Sequence, residues 1–219
     1  LARISELPLI VHVGEPPPLL DDILSVLEKG DVITHAFNGK SGGNIMEDPL
    51  TFALTKEAKS RGVVIDVGHG KSSFSFEVAK FALEHGLSPD VISTDLHCHN
   101  YQGPVYDLPT TLSKLLTLGM SIEEVIECVT TSPRLVLSEP VNENWLVPGQ
   151  PADFTAFTVE SVKFKAFDSM GTELLMREFI LPQLAVLGAK WEQCQSRGWE
   201  QLASGNQPLF APESSPDMM

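Results

Sequence analysis

Three residues of this sequence stand where side chains could do chemistry: His12, His35 and Asp95. Each lies at or near the C-terminal end of a short apolar, β-branched run, namely Pro8-Leu9-Ile10-Val11-His12-Val13, Asp31-Val32-Ile33-Thr34-His35-Ala36 and Asp90-Val91-Ile92-Ser93-Thr94-Asp95. A neutral imidazole is the commonest protein ligand for zinc, bonding at about 2 Å, and a carboxylate can bind the same metal or serve as its base. Taken singly, each has an ordinary explanation. A strand histidine is often a hydrogen-bonded structural residue, and an aspartate there can cap the turn that follows. Their joint placement argues otherwise, because polar groups at equivalent ends of buried strands all need partners, and one metal ion serves them together.

Other polar clusters carry less. His69, in Val67-Gly68-His69-Gly70, sits between glycines that let the backbone approach a ligand; it reads equally as a substrate contact or as a plain loop histidine. His97 and His99 would share the face of Asp95 only if the strand continued, and Asn100 to Pro104 reads as loop. Asn38-Gly39 and Gly42-Gly43 mark either an active-site loop or a simple connection, and Glu15-Pro16-Pro17-Pro18 shapes a strand exit. Asp21-Asp22 and Glu123-Glu124 read as solvated helix faces.

The elements that must hold these residues alternate strand with helix. After the first two runs come Gly62 to Val67 and Asp90 to Asp95, and the helical patterns fall at Leu19 to Glu28, about Pro49 to Ser60, Phe74 to Glu84, Leu108 to Leu118 and Ile122 to Thr130. Strands apolar nearly throughout are those of a parallel sheet covered on both faces. Four such units form half of an eight-stranded barrel or most of a doubly wound sheet. The polar residues favour the barrel, whose strand ends meet at one mouth. The expected organisation is a barrel part over 1–140, a partial β-sandwich appendage with a C-terminal helix over 141–200, and a disordered tail over 201–219. In the appendage, short β pieces are expected at Ala152 to Phe157 and Val162 to Ala166, separated by a turn.

Composition narrows the partners. Lys and Arg number 15 against 29 Asp and Glu, a net charge of −14, which disfavours nucleic acid and anionic membranes. No run approaches the roughly 20 apolar residues that span a bilayer. Cys98, Cys128 and Cys194 are odd in number and far apart, which suggests neither a disulfide framework nor a zinc knuckle and makes a reducing, cytoplasmic compartment the default. Association between copies of the chain stays open.

Four segments together resemble a known family: Val11-His12-Val13-Gly14-Glu15-Pro16-Pro17, Thr34-His35-Ala36-Phe37-Asn38-Gly39, Arg61 to Gly70, and Ser93-Thr94-Asp95-Leu96-His97. They are similar to the deacetylase-like, often dihydroorotase-like, branch of the amidohydrolase superfamily. Pro148 to Thr155 is similar to the passage from barrel to β-sandwich in those enzymes. The resemblance implies a fold: α/β, the C-terminal half of a (β/α)8 TIM-type barrel with part of a small β-sandwich domain. It also implies a binuclear divalent metal centre, usually Zn2+, whose activated hydroxide attacks an amide or ester carbonyl of a small acylated substrate. His12 and His35 would ligate the more exposed metal, Asp95 would bind the other and act as base, and His69 would stand near the substrate. The family's His-x-His pair and carboxylated lysine would precede His12, so an N-terminal part is expected beyond this chain, and the fragment alone is expected to be inactive. A dihydroorotase-like cyclic amidohydrolase is the alternative. Pro133-Arg134 departs from the family's Pro-Ala at that point.

Overall fold

The computed structural model describes residues 4, 7–141 and 147–194. In chain order the elements are β1 (Ile10–His12), α1 (Leu20–Val26), β2 (Val32–Thr34), α2 (Pro49–Ser60), β3 (Val64–Ile65), α3 (Phe76–Glu84), α4 (Leu108–Leu118), α5 (Ile122–Glu127), α6 (Thr131–Val136), β4 (Asp153–Phe167), β5 (Glu173–Leu187) and β6 (Lys190–Gln193). The fold class is α/β.

β1, β2 and β3 lie side by side and parallel, in the register Ile10 to Val32 and Val32 to Val64. β2, the middle strand, is buried along its whole length, as a parallel strand covered on both faces must be. β1 is an edge, and Ile10 is 58% exposed. The core behind the sheet gathers Ile33, Ile65, Val67, Phe37, Phe74 and Leu24.

The expected fourth strand, Asp90 to Asp95, is only a partial one. Val91 forms a single parallel bridge with Asp66, and Val67, His69 and Gly70 donate to Val91, Ser93 and Thr94. The reason is a side chain. Asp66 Oδ1 accepts from Ser93 N at 3.0 Å, replacing a backbone partner in the ladder. Gly68 and Gly70, at φ of 48° and 57°, also turn the chain out of extended geometry.

The helices start where side chains cap them. Asp48, Ser75, Asp107 and Ser121 accept from the first turns of α2, α3, α4 and α5, and α5 has a full capping box with Glu124. Gly119 ends α4 in the left-handed region. The predicted end of the fifth helix is split: α5 stops at Glu127 and α6 follows.

Residues 153–193 form a second, antiparallel sheet in the order β4, β5, β6. The two short pieces expected at 152–157 and 162–166 are one strand, β4, with irregularities beside Phe157 and Phe164 absorbing the apparent break. No C-terminal helix occurs among the described residues: 173–187 and 190–193 are strands. Pro182, which would break a helix, sits at the irregularity opposite Phe157. The expected tail, 201–219, lies outside the described residues. This sheet packs on α4, where Ser113 Oγ accepts from Ile180 N at 2.9 Å and Phe164, Ala166 and Met176 join the core with Leu112 and Leu115. Among the described residues no helix is long and apolar enough to cross a membrane.

Candidate metal centre

β1 and β2 end on His12 and just before His35, and parallel pairing of the two strands sets the rings side by side. Their centroids are 4.8 Å apart, and His35 Nε2 is 3.0 Å from His12 Nδ1. The other nitrogen of His35 faces Gly68 O at 2.5 Å. A carbonyl only accepts, so the proton of the neutral His35 ring sits on Nδ1 and Nε2 keeps its lone pair. Metal-binding histidines are oriented by this kind of backbone hydrogen bond. Two ligand nitrogens at about 2.0–2.1 Å from one ion are themselves roughly 3 Å apart, so the ring pair fits as part of a donor set. His35 is buried and His12 is exposed.

Asp95 belongs to the same neighbourhood. A Cβ on Gly70 would lie 3.1 Å from Asp95 Oδ2 and 3.6 Å from His35 Cε1, so carboxylate and ring face each other across this one glycine. Among the described residues no three His, Cys, Asp or Glu side chains stand close enough to hold a metal by themselves. The structure thus joins His12 to His35 and sets Asp95 across Gly70 from the pair. His35 and Asp95 have φ of 67° and 47°. Left-handed backbone in residues other than glycine is uncommon, costs on the order of 1 kcal/mol or more, and gathers at functional sites.

Two residues not singled out in the sequence hold those conformations. Asp66, buried in the apolar strand end, accepts from Thr34 Oγ1 at 2.6 Å, Ser93 Oγ at 2.7 Å and Ser93 N. It thereby ties the residue before His35 to the segment that carries Asp95. Asn100 is fully buried, donates to Asp95 O at 2.9 Å and accepts from His97 N at 2.8 Å. A carboxylate inside an apolar run was the available signal for Asp66, since it must find donors there. Asn100 left no such signal, because asparagine in a loop is ordinary.

His69 lies inside the fold rather than on an open loop: its side chain is 0% exposed, and its nitrogens meet Lys114 Nζ at 2.9 Å and Gly70 O at 3.0 Å. Burial, and then the Lys114 charge, hold its pKa well below the ordinary histidine value. Lys114 is itself fully buried and is drawn down to about 7 by burial, against the pull of Asp168 and Asp107. The exposed loop keeps His97 and His99 apart from the ring pair's hydrogen bonds: His97 Nδ1 accepts from His99 N at 3.2 Å.

No family model matches the chain. A deacetylase of Brucella anthropi is 48% identical over 190 residues, 87% of this chain and 47% of that protein. A deacetylase of Agrobacterium fabrum is 47% identical over 190 residues, 87% of this chain and 46% of its own. A solved dihydroorotase structure matches at a TM-score of 0.85 and 45% identity, over 89% of this chain and 50% of that one. An adenine deaminase structure matches at 0.79 and 39%, over 87% and 52%. This α/β chain, with paired histidines at parallel strand ends, is thus similar over most of its length to curated deacetylases and to dihydroorotase and adenine deaminase structures of the amidohydrolase superfamily. Within it the curated homologues are deacetylases. The chain spans about half the length of the curated relatives it matches.

Proposed function

We propose that this chain is the C-terminal half of a metal-dependent hydrolase barrel that cleaves an amide or ester bond of a small acylated substrate. The observation that supports it most is the His12–His35 pair, with Nε2 of His35 freed toward His12 by the hydrogen bond to Gly68 O. His12 and His35 would hold one divalent ion, zinc by donor type, and Asp95 would reach a second. Such an ion lowers the pKa of water from about 16 to about 7 and polarises a carbonyl.

The chain's own residues supply orientation and proton transfer. Gly68 O fixes the His35 ring, and Asp66 ties the β2 end to Ser93, so the two sides of the site cannot drift apart. Asp95, exposed at the mouth, accepts the proton of the attacking water on its carboxylate and returns it to the leaving group. Burial of Gly70 between Asp95 and His35 keeps that carboxylate within reach of the reacting centre. The remaining ligands would come from sequence preceding His12 in a longer gene product.

The acylated substrate is favoured by the deacetylase relatives; the dihydroorotase structure keeps a cyclic amide as the second reading. Asp95→Asn in the full-length protein tests the role assigned to the carboxylate, on a panel of N-acetyl and O-acetyl compounds and dihydroorotate. Turnover should fall about 100-fold or more, the range for a lost general base, while metal binding stays largely intact. Parental rates in the variant would remove Asp95 from the mechanism.

A further inference from the structure

The most buried cation of the described barrel part is not used by the chemistry above. Lys114, in the middle of α4, is fully enclosed, and its Nζ meets three atoms: Pro104 O at 2.6 Å, Phe167 O at 2.7 Å and His69 Nε2 at 2.9 Å. An ammonium has three protons and no lone pair, so this is a complete set of acceptors. The ring of Phe76 also lies 5.7 Å away, a further favourable site for a cation.

The consequence is a fixed tautomer for His69. With Nε2 accepting from Lys114, the ring proton must be on Nδ1, where it donates to Gly70 O at 3.0 Å. Ser169 Oγ donates to the same carbonyl at 3.0 Å. Gly68 O, two residues earlier in the turn, receives Nδ1–H of His35. One glycine-rich turn is therefore held from the inside by Lys114 through His69 and presents its other carbonyl to the candidate ligand. A Cβ at Gly68 would run into Thr34 Oγ1 and lie 2.7 Å from His35 Nδ1, so this turn has no slack against the ring.

We propose that Lys114 is a positioning residue for the metal centre, acting through His69 and the Gly68–Gly70 turn to set the direction of His35. This rests on the reading of His12 and His35 as metal ligands. It makes the second sheet part of the site's support, since Phe167 and Ser169 belong to β4 and the turn after it.

The test uses the full-length protein, zinc alone as probe, and two measurements. In the parental protein labelled with 15N-histidine, NMR should find both His69 and His35 protonated on Nδ1; a His69 proton on Nε2 would overturn the proposal, whatever any variant does. Lys114→Met keeps the stem and removes the amine. It should lower zinc affinity about 10-fold, the lower range for groups that orient ligands, and shift the His35 Nδ1–H resonance. Lys114→Arg should recover part of that affinity. A folded Lys114→Met protein with parental zinc affinity and an unmoved His35 resonance would overturn the inference while leaving the metal reading intact. A parental protein that binds no zinc would instead remove the reading beneath it, with the tautomer measurement still deciding the Lys114–His69 contact.

Discussion

At the scale of single residues, what distinguishes one side chain from another of the same type is its surroundings. Cys98 is exposed and Cys128 is buried, with its thiol directed at Pro89 O at 3.5 Å. Burial, and then the Asp90 charge, push the Cys128 thiol from 9.0 up to about 11. A pKa raised in the folded state means that the folded chain keeps the proton longer than the unfolded one. The contribution is present below pH 9.0 and is lost as pH rises to about 11. Cys128→Ala should flatten that part of the alkaline fall in stability in a series of urea titrations; an unchanged slope would show that another group dominates it. In the native protein, iodoacetamide should modify Cys98 far faster than Cys128, as peptide mapping by mass would show. Asp66→Ala, which strands the buried Thr34 hydroxyl and the part-buried donors of Ser93, should cost about 3 kcal/mol in the same titrations, because an unsatisfied buried group costs roughly 1–3 kcal/mol.

At the scale of elements, the Gly68–Gly70 turn carries the most constraint for its length. Gly70→Ala would combine a φ of 57° with a Cβ 3.1 Å from Asp95 Oδ2. It should destabilise by about 1–2 kcal/mol, the cost of a left-handed residue with a Cβ, and should lower turnover more than the stability loss accounts for. Gly119→Ala is the control, because its φ is also positive but nothing lies within 4 Å of the added atom. Equal effects on turnover at both positions would deny the turn a special role. These elements were unequally legible. α2 and α4 have the limits that Pro49, Ser60, Leu108 and Leu118 suggested, because Asp48 and Asp107 cap them and proline follows each cap. β1, β2 and β3 stand inside the runs read for them, but shorter, since the ends curl toward the site. The partial fourth strand, the support given by Asn100 and Lys114, and the burial of His69 were not legible, because each depends on partners far away in sequence. A lysine in Leu112-Ser113-Lys114-Leu115-Leu116 reads locally as a solvated head; His69, Pro104 and, from the second sheet, Phe167 enclose it.

At the scale of the whole molecule, the three-stranded parallel sheet leaves β1 open on one side. Leu9 and Ile10 are 40% and 58% exposed there, and Leu7, before the strand, is 66% exposed. An open strand edge flanked by apolar side chains invites pairing with other chains. The isolated 219-residue chain should therefore self-associate and unfold over a broad range, as sedimentation and thermal melting would show. A monomer with a sharp cooperative transition would count against the half-barrel reading. The centre itself is tested most directly by metal analysis of the purified full-length protein beside its His35→Ala variant, both after dialysis against a weak chelator. The account predicts stoichiometric divalent metal in the parent and a marked loss in the variant, since the substitution removes a buried ring that the Gly68 hydrogen bond orients as a ligand. A parent that holds no metal, or a variant that holds as much as the parent, would contradict it.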